Sequence, residues 1–95
     1  DPGIGFAKTA EQSLQLIAAI PRLRQLGRPI LMGPSRKSFI GHVLGETDPH
    51  RRVWGTVGAC AACALLRADV VRVHDVAEVR DAVRVADAIR QHFPR

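Results

Sequence analysis

The chain has 95 residues, enough for one small domain, and its 46% hydrophobic and 24% charged content is ordinary for an α/β protein. No apolar run approaches the roughly 20 residues that a membrane span requires. Net charge is +5, but arginines alternate with acids and only Phe6, Phe39, Trp54 and Phe93 could stack on bases, so the charge suits a small anionic ligand better than nucleic acid.

The opening Asp1-Pro2-Gly3-Ile4-Gly5-Phe6 reads as a strand end running into a glycine loop. Thr9 and Gln12 have capping-box spacing and start a helix with Leu16, Ile20 and Leu23 on one face. Pro21 should divide that helix, Gly27 should end it, and Pro29 follows. Pro29 to Met32 is a short apolar strand. Gly33 and Pro34 turn the chain, Ser35 is positioned to cap the next helix, and Phe39, Ile40, Val43 and Leu44 form that helix's apolar stripe up to Gly45.

Glu46 to Arg52 is a polar loop. Gly55-Thr56-Val57 reads as a brief strand, Ala59 to Ala68 as a small-residue helix, and Val70 to Val73 as a buried strand. Asp75, with Glu78 three residues on, should cap a last helix whose inner face is Val79, Val83, Ala86, Ile89 and Phe93. Short strands alternating with helices imply a parallel sheet with helices on its outer face. The first residues carry no basic and apolar leader pattern.

Three junctions collect the chemistry: Asp1 to Lys8, Gly33 to Ser38, and Arg72 to Asp75. Each follows an expected strand, and ligands of parallel α/β proteins gather at that edge. Ser35-Arg36-Lys37-Ser38 offers two hydroxyls and two cations at a helix start, an arrangement for an anion or simply a cap with solvated bases. Arg72 and His74 are two apart on a strand and should point the same way. They could hold phosphate oxygens, or be a surface arginine and a structural histidine. Asp1 before Pro2 is a turn former or a carboxylate acceptor for an amidine-like edge. Cys60 and Cys63 form a CxxC without a second pair, so they read as helical core and not as a metal or redox site. His42, His50 and His92 read as surface residues.

Taken in order, DPGIGFAKT, LMGPSRKSFIG, RVWGT and DVVRVHDV resemble the dihydropteroate synthase family over essentially all 95 residues. The resemblance implies that residues 1–95 are the C-terminal half of a (β/α)8 TIM barrel, from the end of strand 5 to helix 8, with the N-terminal half missing. It implies condensation of a pterin pyrophosphate with 4-aminobenzoate in folate biosynthesis. Asp1 is similar to the family aspartate for the pterin edge, and Lys37 to the lysine at the pterin carbonyl. Ser35 resembles the resting place of the aminobenzoate carboxylate. Arg72 and His74 resemble the pyrophosphate pair, with Phe6 and Pro34 as apolar walls and Arg36 as a supporting contact. Lys37, Arg72 and His74 would be the catalytic groups.

The family further implies Mg²⁺, bound by an asparagine in the missing half, inhibition by sulfonamides, a homodimer of the full-length protein, a cytoplasmic location, and no nucleic-acid or membrane partner. Ala7 and Arg67 stand where glycines are usual, Ser13 where an asparagine is, and Arg51 where an acid often precedes Arg52. A lone half barrel exposes sheet edges, so the 95-residue chain by itself should be inactive and marginally stable. The alternatives are a methyltetrahydrofolate methyltransferase-type pterin barrel, which needs neither Lys37 nor the Arg72–His74 pair as placed, and a non-catalytic paralogue or fragment.

Overall fold

A computed structural model describes residues 1–94. Thr9 opens α1 (Ala10–Ala18) with the expected capping box: its hydroxyl accepts from Gln12 N–H, and the Gln12 side chain accepts from Thr9 N–H. Pro21 does divide the segment. The chain breaks at Ala19 and restarts as α2 (Ile20–Leu23), followed by a 3-10 turn over Arg24–Leu26 that ends at Gly27. The proline lacks the N–H that would have bonded back into α1.

Two short strands, β1 (Leu31–Met32) and β2 (Val70–Val71), pair in parallel, Leu31 opposite Val70 and Met32 opposite Val71. Between them run α3 (Ser38–Leu44), a 3-10 turn over Pro49–Arg51, and α4 (Val53–Leu65). The final helix, α5 (Val76–Arg90), packs along α4. Among the described residues only these two strands form, so the brief strand expected at Gly55–Val57 is corrected: those residues lie inside α4. The small residues that suggested a strand serve close helix packing instead. Gly55 lies against Ile40 and Leu44 of α3, with no room for a side chain.

The core is aliphatic, as the scarcity of aromatics requires. Ile4, Ile17, Ile20, Ile30, Met32, Phe39, Ile40 and Cys63 form one buried cluster beneath the sheet and helices. Cys60 and Cys63 are free and fully buried, the packing role their helical setting suggested. Of the α3 stripe, Phe39 and Ile40 are buried, while Val43 and Leu44 are exposed. On α5, Val79 and Ala86 are buried, but Ile89 and, beyond the end of the helix, Phe93 are about half exposed at 52% and 49%. Two strands cannot close a barrel, and the apolar residues left uncovered are those of an open, partial one.

Two residues that stand where the resemblance implies glycines adopt a backbone that favours glycine. Ala7 and Arg67 take φ of 51° and 75°, the left-handed region that L side chains resist. Arg67 closes α4 in a Schellman motif: Ala68 N–H donates to Cys63 C=O at 2.9 Å and Arg67 N–H to Ala64 C=O at 3.1 Å.

Candidate functional site

The parallel register of β1 and β2 continues past both strands as a series of side-chain pairs. Arg72 N–H donates to Met32 C=O at 3.0 Å, extending the ladder by one residue. Beyond it, Ser35 meets His74 and Arg36 meets Asp75, each pair 39 residues apart in sequence. The strand pairing therefore sets the positions of the loops that carry the chemistry.

Arg72 lies flat on Gly33. A Cβ at Gly33 would sit 2.5 Å from Arg72 Nη2, so only the missing side chain lets the guanidinium rest there. From this seat Arg72 Nη1 reaches Asp1 Oδ2 at 3.5 Å, with both side chains about half exposed. Asp1 Oδ1 also accepts from Gly3 N–H at 2.8 Å. The turn-forming and carboxylate-acceptor readings of Asp1 are thus compatible: one oxygen closes the turn and the other faces the rim.

Lys37 Nζ donates to Ile4 C=O at 2.7 Å and stands 4.5 Å from the centroid of the Phe6 ring, a cation–π distance. Its stem runs over Gly5, where a Cβ would approach Lys37 Cδ to 2.9 Å. Burial of the ammonium, and then the nearby Arg72 charge, lower its pKa from the ordinary lysine value. Both effects disfavour the charged form and would be relieved by an anion on the rim. The glycine loop is tied beneath by Ser13, a buried residue whose hydroxyl accepts from Gly5 N–H at 3.3 Å.

Ser35 differs from its expectation. It does not cap α3, which starts at Ser38 with Lys37 as its N-cap residue. Ser35 is buried, its Oγ accepting from His74 N–H at 3.0 Å and standing 2.7 Å from His74 Nδ1. Pro34 is also fully buried. Phe6, by contrast, is 67% exposed.

Arg36 is turned from solvent into a fork with Asp75: Nε to Oδ2 at 3.2 Å and Nη2 to Oδ1 at 2.9 Å. Those hydrogen bonds hold the Asp75 carboxyl below its usual range and raise the Arg36 guanidinium. Asp75 occupies the N-cap position of α5, yet its side chain makes no cap hydrogen bond, because Arg36 takes both oxygens.

Sequence reasoning missed two supporting residues. Arg52, in what read as a plain polar loop, is buried and donates to Arg36 C=O at 2.9 Å and to the carbonyls of Glu46 and Thr47. Thr56, read as part of a strand, is fully buried and accepts from Arg36 N–H at 3.0 Å. Neither partner is a charge, so charge pattern carries no signal of them. Among the described residues no group of three or more His, Cys, Asp and Glu could hold a metal ion, and Asp1 is the only rim carboxylate not taken up by a bidentate arginine. The residues of this chain do not by themselves fit a metal site. No helix among the described residues is long and apolar enough to cross a membrane.

The chain is similar to known proteins in sequence and in fold. The family described as "Pterin binding enzyme" matches residues 1–74. The dihydropteroate synthase of Synechocystis is 59% identical over 75 residues, covering 79% of this chain and 26% of that protein. The solved dihydropteroate synthase of Xanthomonas albilineans in complex with 7,8-dihydropteroate superposes with a TM-score of 0.91 at 46% identity, covering 99% of this chain and 36% of that one. That of Vibrio fischeri gives a TM-score of 0.94 at 36% identity, covering 100% and 35%. The chain thus spans about a quarter of the Synechocystis relative and about a third of the solved barrels. It belongs to the pterin-binding enzyme family, and within that family its sequence and its partial barrel are similar to those of the dihydropteroate synthases.

Proposed function

We propose that this chain is the C-terminal part of a dihydropteroate synthase, supplying one side of the site where 6-hydroxymethyl-dihydropterin pyrophosphate condenses with 4-aminobenzoate. The reading rests chiefly on one observation: Asp1, Lys37 and Arg72, from three separate loops, meet at one rim. The solved relatives that bind 7,8-dihydropteroate and 4-aminobenzoic acid lend it support.

In this reading Asp1 Oδ2, which also pairs with Arg72 at 3.5 Å, accepts hydrogen bonds from the amino and ring N–H edge of the pterin. Lys37 donates to the pterin carbonyl and flanks the aminobenzoate ring beside Phe6. The aniline nitrogen is already nucleophilic when neutral, so no strong base is needed. It attacks the pterin methylene carbon as the C–O bond to pyrophosphate breaks. Arg72 and His74 donate to the leaving pyrophosphate, whose charge grows along the reaction; removing such a donor slows turnover by roughly 10²–10³-fold. Mg²⁺ would reside outside this chain, on the remainder of the barrel. Sulfonamides, as aminobenzoate mimics, would compete beside Lys37. The complete protein would be a cytoplasmic homodimer with no nucleic-acid partner, and the 95-residue chain alone would not turn over.

The test is to join the chain to the N-terminal remainder of the Synechocystis relative and assay dihydropteroate formation. Turnover that falls roughly 100-fold on Arg72→Ala is the expected result. A well-folded fusion that makes no dihydropteroate, or an Arg72→Ala form as active as its parent, would count against it.

A further inference from the structure

Arg36 is the residue immediately before Lys37, and its backbone is left-handed, with φ of 58°. A non-glycine residue stays there only when its surroundings over-determine it. Four groups do so. Thr56 Oγ1 accepts its N–H at 3.0 Å, and Arg52 Nη1 donates to its carbonyl at 2.9 Å. Asp75 holds its side chain by both oxygens. The His50 ring stands 3.4 Å from its Nη1. This turn aims the following residue, Lys37, back across Gly5 to Ile4 C=O.

Three of these partners come from α4 and its approach, whereas Asp75 comes from the loop that also carries Arg72 and His74. We propose that Asp75 is a positioning residue, locking the left-handed turn at Arg36 so that the Lys37 ammonium is held at a fixed separation from Arg72 and His74. Both oxygens of its carboxylate are engaged by Arg36, so its role is exerted through that residue. The claim deepens the pyrophosphate-and-pterin reading of the rim and depends on it for its consequence, but not for the geometry itself.

The chain has only two lysines, Lys8 and Lys37, which permits a direct test on the 95-residue chain. Brief acetylation with acetic anhydride, read by mass spectrometry, gives the ratio of Lys37 to Lys8 labelling, with Lys8 as internal reference. In Asp75→Asn the ratio should rise several-fold as Lys37 leaves Ile4 C=O, and Asp75→Glu should restore most of the original value. If Asp75→Asn loses its helical circular dichroism, Arg36→Gln decides: it cannot fork and adds no amine, and its ratio should rise with the fold intact. An unchanged ratio in a folded Asp75→Asn or Arg36→Gln protein overturns the proposal.

Pterin pyrophosphate, whose carbonyl would take Lys37 and whose phosphates would take Arg72 and His74, supplies the second reading. It should protect Lys37 from labelling in the parent protein, and at least several-fold more weakly in Asp75→Asn. Equal protection in both overturns the positioning role while leaving the rim's function standing. Absence of protection in the parent instead counts against the rim as a pterin pyrophosphate site, and the ligand-free ratio still decides the role of Asp75.

Discussion

Ser35 and His74 touch twice: the Ser35 hydroxyl accepts from the His74 backbone N–H at 3.0 Å and lies 2.7 Å from the His74 ring at Nδ1. The Ser35 hydroxyl can donate to Nδ1, which would place the ring proton on Nε2, or accept from it. Ring ¹⁵N shifts of His74 distinguish the two; the Nε2–H tautomer is the outcome expected if His74 donates to an anion at the rim. In Ser35→Ala the ring loses its orientation and a part-buried N–H loses its partner, at a stability cost of about 0.5–1.5 kcal/mol. Denaturant titration and the same NMR spectrum check both; an unaltered His74 signal in the variant would contradict the pairing.

Gly33→Ala separates function from stability. The atom a Cβ would strike is the far end of Arg72, a flexible side chain that can move aside. The fold should lose less than about 1 kcal/mol, but Arg72 should leave its seat beside Asp1. In the joined barrel described above, pterin pyrophosphate affinity should fall by roughly 10-fold, the worth of one charge-assisted contact. Intact affinity would mean that Arg72 does not bind from this seat.

Arg67 in the left-handed closing position of α4 costs stability that glycine would not. Arg67→Gly should stabilise the chain by about 0.5–1 kcal/mol once the extra chain entropy of glycine is deducted. The Arg24 guanidinium meets Arg67 at its backbone carbonyl, at 2.7 Å, so that contact survives the change. A lowered thermal midpoint would contradict the reading.

Burial pushes the Cys60 thiol up to about 11 and the Cys63 thiol up to about 12. Both should stay unreactive toward a disulfide reagent at pH 8 until denaturant is added. The folded chain holds these protons more tightly than the unfolded one, whose thiols titrate near 9.0. Their contribution to stability is therefore complete below about pH 9 and is lost as pH rises toward 11–12. Urea midpoints measured across pH 8 to 11 should decline; in Cys60→Ala/Cys63→Ala the part of that decline owed to the thiols should vanish.

Much of this was legible in the sequence because the signals were local. The Thr9 capping box, the break at Pro21, the stop at Gly27 and the packing role of Cys60 and Cys63 each follow from a few adjacent residues. So did the three loops, since motif order alone brought Asp1, Lys37, Arg72 and His74 forward. What stayed hidden depends on partners distant in sequence. Gly55 and Thr56 suggest a strand by composition, but packing against Ile40 and Leu44 makes them helical. Ser35 suggests a cap, but the strand register delivers it to His74. Arg52 and Asp75 lack any local mark of their roles, because one satisfies carbonyls and the other pairs with an arginine across the sheet.

The most direct measurement is calorimetric titration of pterin pyrophosphate into the joined barrel and into its Asp1→Ala, Lys37→Ala and Arg72→Ala forms. If one ligand spans all three groups, each substitution should weaken binding by roughly 10- to 100-fold, about 1.4–2.7 kcal/mol. Affinity untouched by all three would mean that this rim does not hold the ligand.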